Sequence, residues 1–116
     1  MSFWEDLTMT VRELCNNAGF TPLALPDPDR EIEGCYVGDL LSWVMGNATY
    51  GCAWVTIMTN RNIIAVATLI DMACILLAEG CSLTEDLTEL AMSQNVNVLT
   101  SEKPAYETCA ALAKLL

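Results

Sequence analysis

The chain contains no histidine among its 116 residues. That removes the side chain most used as a general base near neutral pH, and with it any Ser-His or Cys-His nucleophile pair. It also removes the commonest ligand of zinc, copper and haem iron. Positive charge is scarce as well: five basic residues stand against fifteen acids, a formal net charge of −10. A surface of that sign repels nucleic-acid phosphates and anionic lipid headgroups, so no nucleic acid and no membrane is expected as a partner. The lysines, Lys103 and Lys114, do not follow a glycine, so there is no GxxxxGK[ST] phosphate loop. GxGxxG and GxSxG strings are absent too. The longest apolar stretch, Ile63 to Ala78, is interrupted by Asp71 and falls short of the roughly 20 residues a bilayer span requires. Met1 to Asp6 has neither the basic nor the apolar region of a secretory signal, and the expected setting is cytoplasmic.

Six cysteines are present, Cys15, Cys35, Cys52, Cys74, Cys81 and Cys109, with no CxxC spacing among them. Without histidine or a secretion signal they suggest neither a metal site nor a disulfide framework. Most lie among apolar neighbours, as in Met72-Ala73-Cys74-Ile75, and read as buried or half-buried free thiols. No cofactor is expected. The hydrophobic fraction, 53%, exceeds the usual range of about 45–50%, which implies a core buried on two faces or an apolar surface used for self-association.

Periodicity and punctuation give a repeated strand-helix rhythm. A first helix falls within Leu7 to Ala18, with a capping box at Thr10 and Glu13 and Gly19 beyond its end. Thr21 to Leu25 is extended, Pro26-Asp27-Pro28-Asp29 is a loop, and a strand runs near Ile32 to Val37. Gly38-Asp39 turns into a short helix, Leu40 to Met45, ended by Gly46-Asn47, with Asp39 as its cap. Ala53 to Met58 and Ala73 to Ala78 read as strands. Between them Asn60 caps a helix through Ile70 that is apolar on nearly every side, and Asp71 sits in an exposed turn. After Glu79-Gly80, Ser82 and Glu85 form a second capping box before a helix using Leu83, Leu87, Leu90 and Ala91. Val96 to Leu99 is a short strand, and a last helix near Pro104 buries Ala105, Cys109, Leu112, Ala113 and Leu116.

Continuously apolar strands separated by helices imply an α/β fold of one domain, with a mostly parallel sheet of about four to five strands covered on both faces. The apolar helix Ile63 to Ile70 would then lie between the sheet and something else, for which a second subunit is the simplest cover.

Several strings resemble the DRTGG domain, a module similar to the N-terminal domain of HPr kinase/phosphorylase. They are Glu33-Gly34-Cys35-Tyr36-Val37-Gly38-Asp39-Leu40-Leu41, Val44-Met45-Gly46-Asn47-Ala48, the stretch Trp54 to Ile64, and Val98 to Thr108. Where many members of that family carry Gly-Gly-Asp-Arg or similar, this chain reads Thr59-Asn60-Arg61-Asn62: the arginine is kept, the acid and glycines are not. The resemblance implies an α/β sandwich that homodimerises and serves regulation beside catalytic or sensory domains, with an enzyme partner, for example of hydrogenase type, as one setting. The serine-kinase label some lone members carry does not suit a chain without a phosphate loop or histidine.

Ligands of open parallel sheets sit beyond the carboxyl ends of the strands. That rule nominates Gly38, Asp39, Thr59, Asn60, Arg61, Glu79, Gly80, Thr100 and Ser101. Asn60 and Ser101 would precede helices, where free N–H groups favour an anion, and Arg61 could fork onto a phosphate or carboxylate. The same residues would equally serve as plain caps and a solvated arginine. Trp43 and Trp54 could wall a ligand or pack in a core or dimer interface. Three functions follow: a homodimeric regulatory module sensing a small anionic metabolite or nucleotide, an adaptor docking an enzyme, or an enzyme relying on carboxylates or a thiolate.

Overall fold

A computed structural model describes residues 8–116. Its organisation follows from two strings, Ala-Trp-Val-Thr at 53–56 and Cys-Ile-Leu-Leu at 74–77, in which every residue is buried. A strand with no solvent side needs a layer on each face of its sheet. In chain order the elements are β1 (Met9–Thr10), α1 (Val11–Ala18), β2 (Thr21–Ala24), β3 (Glu31–Ile32), β4 (Cys35–Val37) and α2 (Leu41–Asn47). They continue with β5 (Ala53–Thr56), α3 (Asn62–Ile70), β6 (Cys74–Leu77), α4 (Glu85–Ser93), β7 (Val98–Thr100) and α5 (Ala105–Leu115).

The main sheet has the order β2-β7-β6-β5-β4. Strands β4 to β7 are parallel, and β2 is antiparallel to β7 at one edge. Alternation divides the side chains. Trp54, Ile75, Leu77 and Val98 pack with residues of α2, α3 and α4. Ala53, Val55, Cys74, Leu76 and Leu99 pack with α1 and α5. From β4 to β7 the strands step in one direction without reversal. Crossovers of one hand stepping one way lay every connecting helix on the same face. The other face must be covered from outside the crossovers, and α1 and α5 do so.

Local signals explain most boundaries. Thr10 Oγ1 accepts from the Glu13 amide at 3.2 Å, and Gly19 ends α1 in the left-handed region at φ 72°. Asp71 ends α3 in the same region at φ 60°. Four details differ from the sequence expectation. The strand anticipated over Ile32 to Val37 is two pieces, because β3 pairs with β1 in a separate ladder while β4 joins the main sheet, and Gly34 breaks the run at φ 152°. Gly46-Asn47 does not stop α2, which runs through both; Asn47 Nδ2 donates to the Trp43 carbonyl in the last turn. The cap of α4 is Thr84, whose Oγ1 accepts from the Leu87 amide, so Ser82 lies upstream of the helix. On α5, Thr108 and Leu112 are buried, whereas Ala113 and Leu116 face solvent.

One buried amide fixes the loop that follows β2. Asn97, 2% exposed, accepts from the Asp27 amide at 3.0 Å and donates to the Asp27 carbonyl at 2.7 Å and the Ala73 carbonyl at 3.0 Å. Replacing it strands backbone groups beside the first residues of β6 and β7. Asn97→Ala should destabilise the domain by about 2–3 kcal/mol, read as a lower urea midpoint with an unchanged slope.

Candidate functional site

The carboxyl ends of the parallel strands are closed by their own hydrogen bonds. Asp39 does not cap α2; the cap position is Leu40, with no side-chain bond. Its Oδ1 instead accepts from Thr56 Oγ1 at 2.7 Å and from the Ile57 amide at 3.0 Å, tying the end of β4 to the end of β5. A carboxylate drawn across the sheet by two donors outcompetes the helix beside it, since bonds to a charged acceptor are the stronger kind. The Gly38 carbonyl accepts from Nε1 of fully buried Trp54 at 2.9 Å. Glu79 and Gly80, at φ 61° and 66°, donate their amides to the Lys103 and Ser101 carbonyls. Thr100 Oγ1 donates to the Cys81 carbonyl at 2.6 Å.

Ser101 does not cap α5 either; that position falls at Pro104. Ser101 is 3% exposed and its Oγ lies 2.8 Å from Thr108 Oγ1. Thr108 gives its own proton to the Lys103 carbonyl, so Ser101 is the donor of this pair. Asn60 is not the cap of α3: the cap position falls one residue later, at Arg61 in helical geometry, and the Asn60 Oδ1 accepts from the Asn62 amide at 2.9 Å over the turn that leads in.

Topology explains why this rim offers little room, a hollow of about 110 Å³ beside Thr100 and Ser101. Strand-end crevices open where the winding of a sheet reverses and successive loops diverge to opposite faces. Strands β4 to β7 never reverse. A larger hollow lies on the helical layer, a groove of about 440 Å³ between α3 and α4 lined by Arg61, Ile64, Ala65, Thr68, Leu69, Leu90 and Gln94; another, of about 400 Å³, lies by β1 and β3, lined by Met9, Glu31, Ile32 and Gly34 among others. Arg61 belongs to both places, at the end of the loop after β5 and at the groove. Its guanidinium is exposed and has no acid partner: the ion pairs among the described residues are Arg12 with Asp29 and Arg30 with Asp71. Thr59 and Asn60 adjoin it, half-buried and exposed respectively.

A second groove, about 260 Å³, lies on the other flank of α3 between Met45 of α2 and Leu69. Leu69, 70% exposed, is therefore a ridge between two hollows. Trp43 is exposed on α2, whereas Trp54 is core. The α4 wall, Leu90 and Gln94, was not anticipated from the sequence. The signal that pointed toward it was the apolar character of α3 all round.

No family model and no curated protein matches the chain. A solved structure does: the regulatory region of Clostridium perfringens pyrophosphatase, its CBS and DRTGG domains complexed with the activator diadenosine tetraphosphate. The similarity has a TM-score of 0.72 over 92% of this chain, at 12% identity. The fold is DRTGG-like. This chain spans about half the length of that region, 47%. At such identity the likeness is one of fold, and it agrees with the resemblance carried by the strings around Gly38 and Arg61.

The Asp39 clasp is open to a direct check. Asp39→Ala and Thr56→Val should each destabilise the domain, and together by less than their sum, with a coupling of about 1–2 kcal/mol in a double-mutant cycle of urea melts.

Proposed function

We propose that this chain is a non-catalytic regulatory module that senses a small anionic ligand of the nucleotide class in the α3–α4 groove, and that it acts as a homodimer. The observation that carries the reading is Arg61, an unpaired guanidinium beside an apolar groove in a chain of net charge −10. A cation at the start of a helix opposes the helix dipole, at a cost of roughly 0.3–1 kcal/mol when exposed. A bound anion would offset that cost and accept the planar fork of donors. The walls suit the rest of a nucleotide: Ile64, Ala65, Leu69 and Leu90 offer apolar surface, and the Gln94 carboxamide offers a polar edge. The volume lies in the ordinary range for small-molecule sites, about 300–1,000 Å³. The similar pyrophosphatase region is complexed with a nucleotide activator, which supports the class and leaves its placement here to experiment. Asp39, Thr100 and Ser101 hold the scaffold under this reading, and Thr59 and Asn60 frame the arginine.

Exposed apolar residues on the same side, Trp43, Met45, Leu69 and Met92, support self-association and also favour a second reading, an adaptor that docks an enzyme through this face. Among the described residues no helix is long and apolar enough to cross a membrane.

A thermal-shift panel of nucleotides, phosphorylated metabolites and oxyanions tests the sensor. A ligand at 100 times its dissociation constant adds about 2.7 kcal/mol, a rise of several degrees in a domain of this size. The rise should vanish in Arg61→Ala, whose basal stability should be no lower than wild type and up to about 1 kcal/mol higher. A flat panel contradicts the sensor and moves the reading to the adaptor. Sedimentation equilibrium tests the assembly: the wild-type chain should be a dimer and Leu69→Glu a folded monomer. A wild-type monomer at every concentration contradicts the dimer.

A further inference from the structure

Cys35 opens β4 at the edge of the sheet, and its register partner is Ala53. Ala53 faces the α1–α5 layer, so the pleat sends the Cys35 side chain toward the same layer. Cys109 lies on α5, which packs against β4 and β5, and it contacts that layer from above. The two thiols therefore lie on one side of the sheet edge, Cys35 on β4 and Cys109 on the helix packed over it. Cys35 is exposed as a residue because β4 is an edge strand; Cys109 is half-buried. Cys74 is fully enclosed beneath them and Cys52 sits with the opposite core cluster. No group of three or more Cys, Asp or Glu among the described residues is placed to hold a metal ion. Two thiols on one side of the sheet edge, one on an exposed residue, are placed for chemistry with each other.

We propose that Cys35 and Cys109 form a reversible thiol–disulfide pair, closed by exchange with a low-molecular-weight disulfide. The Cys35 thiolate attacks one sulfur of that disulfide; its S–S bond breaks, and one small thiolate leaves and takes a proton. The Cys109 thiolate then attacks the Cys35 sulfur and displaces the second small thiolate, which also takes a proton. Two protein thiols are oxidised to one disulfide, and the small disulfide is reduced to two thiols. The product staples the edge strand to α5, four positions before Asp39 and its clasp.

Desolvation holds both thiols above the usual range, Cys35 at about 12. Far below a thiol's pKa the thiolate fraction, and with it the exchange rate, rises tenfold per pH unit. The pair is therefore slow at neutral pH and quickens with alkali.

The experiment incubates the reduced chain with oxidised glutathione at pH about 7, 8 and 9, blocks remaining thiols and maps the linked peptides by mass. The expected result is one internal link, Cys35 to Cys109, reversed by dithiothreitol and forming about tenfold faster per pH unit. Cys109→Ser should stop at a glutathione adduct on Cys35, and Cys35→Ser should give no internal link. Circular dichroism of each variant keeps the reading independent of folding. Three results overturn the proposal: a native chain whose Cys35 is alkylated yet never links to Cys109, a native chain whose Cys35 resists both reagents, or links scattered among all six cysteines.

Discussion

The structure depends on the double-sided burial of β5 and β6. Neither strand has a solvent face, and Trp54, Val55, Ile75, Leu76 and Leu77 are fully enclosed. Replacing any of these large residues with alanine is expected to cost about 2–5 kcal/mol each, whereas an exposed ion pair such as Arg12 with Asp29 contributes about 0–1 kcal/mol. The apolar sandwich therefore sets the stability, and the polar network sets the geometry. With three crossovers taking α2, α3 and α4 to one side, α1 and α5 must supply the opposite layer from the two ends of the described chain.

That division organises what the molecule offers. The crossover layer carries Arg61, the two grooves and the Leu69 ridge between them. The side of the sheet that faces the terminal layer carries Cys35 of β4, beneath Cys109 of α5. The strand ends between the two layers are occupied by Asp39, Thr100 and Ser101 in bonds to Thr56, Cys81 and Thr108. A one-way winding without a reversal leaves only a small hollow of about 110 Å³ beside Thr100 and Ser101, so a ligand has more room beside a helix than beyond a strand.

Much of the fold was legible because its signals are local. The Thr10 cap, the left-handed Gly19 and the unbroken apolar runs of β5 and β6 each depend on neighbours in sequence. What could not be read depends on partners far away. Asp39 looked like a cap because the helix beside it is adjacent, while its true donors are 17 and 18 residues on. Asn97 carries no sequence signal, since its partner Asp27 is 70 residues back. The two-residue ladder of β1 with β3 is too short to show any period. Arg61 stood out as a lone cation, but the groove beside it needs Leu90 and Gln94 from the next helix, and only the packing of α3 on α4 brings them there.

The central claim is that a nucleotide-class ligand is held between α3 and α4. It is tested most directly by titrating the isotopically labelled chain with diadenosine tetraphosphate and following its backbone amide resonances. The ligand should move the amides of Arg61, Ile64, Ala65, Leu69, Leu90 and Gln94 together, and leave those of Cys35, Cys109 and α1 in place. Perturbations gathered instead on Gly38, Asp39, Glu79 and Gly80, or none at saturating ligand, would contradict it.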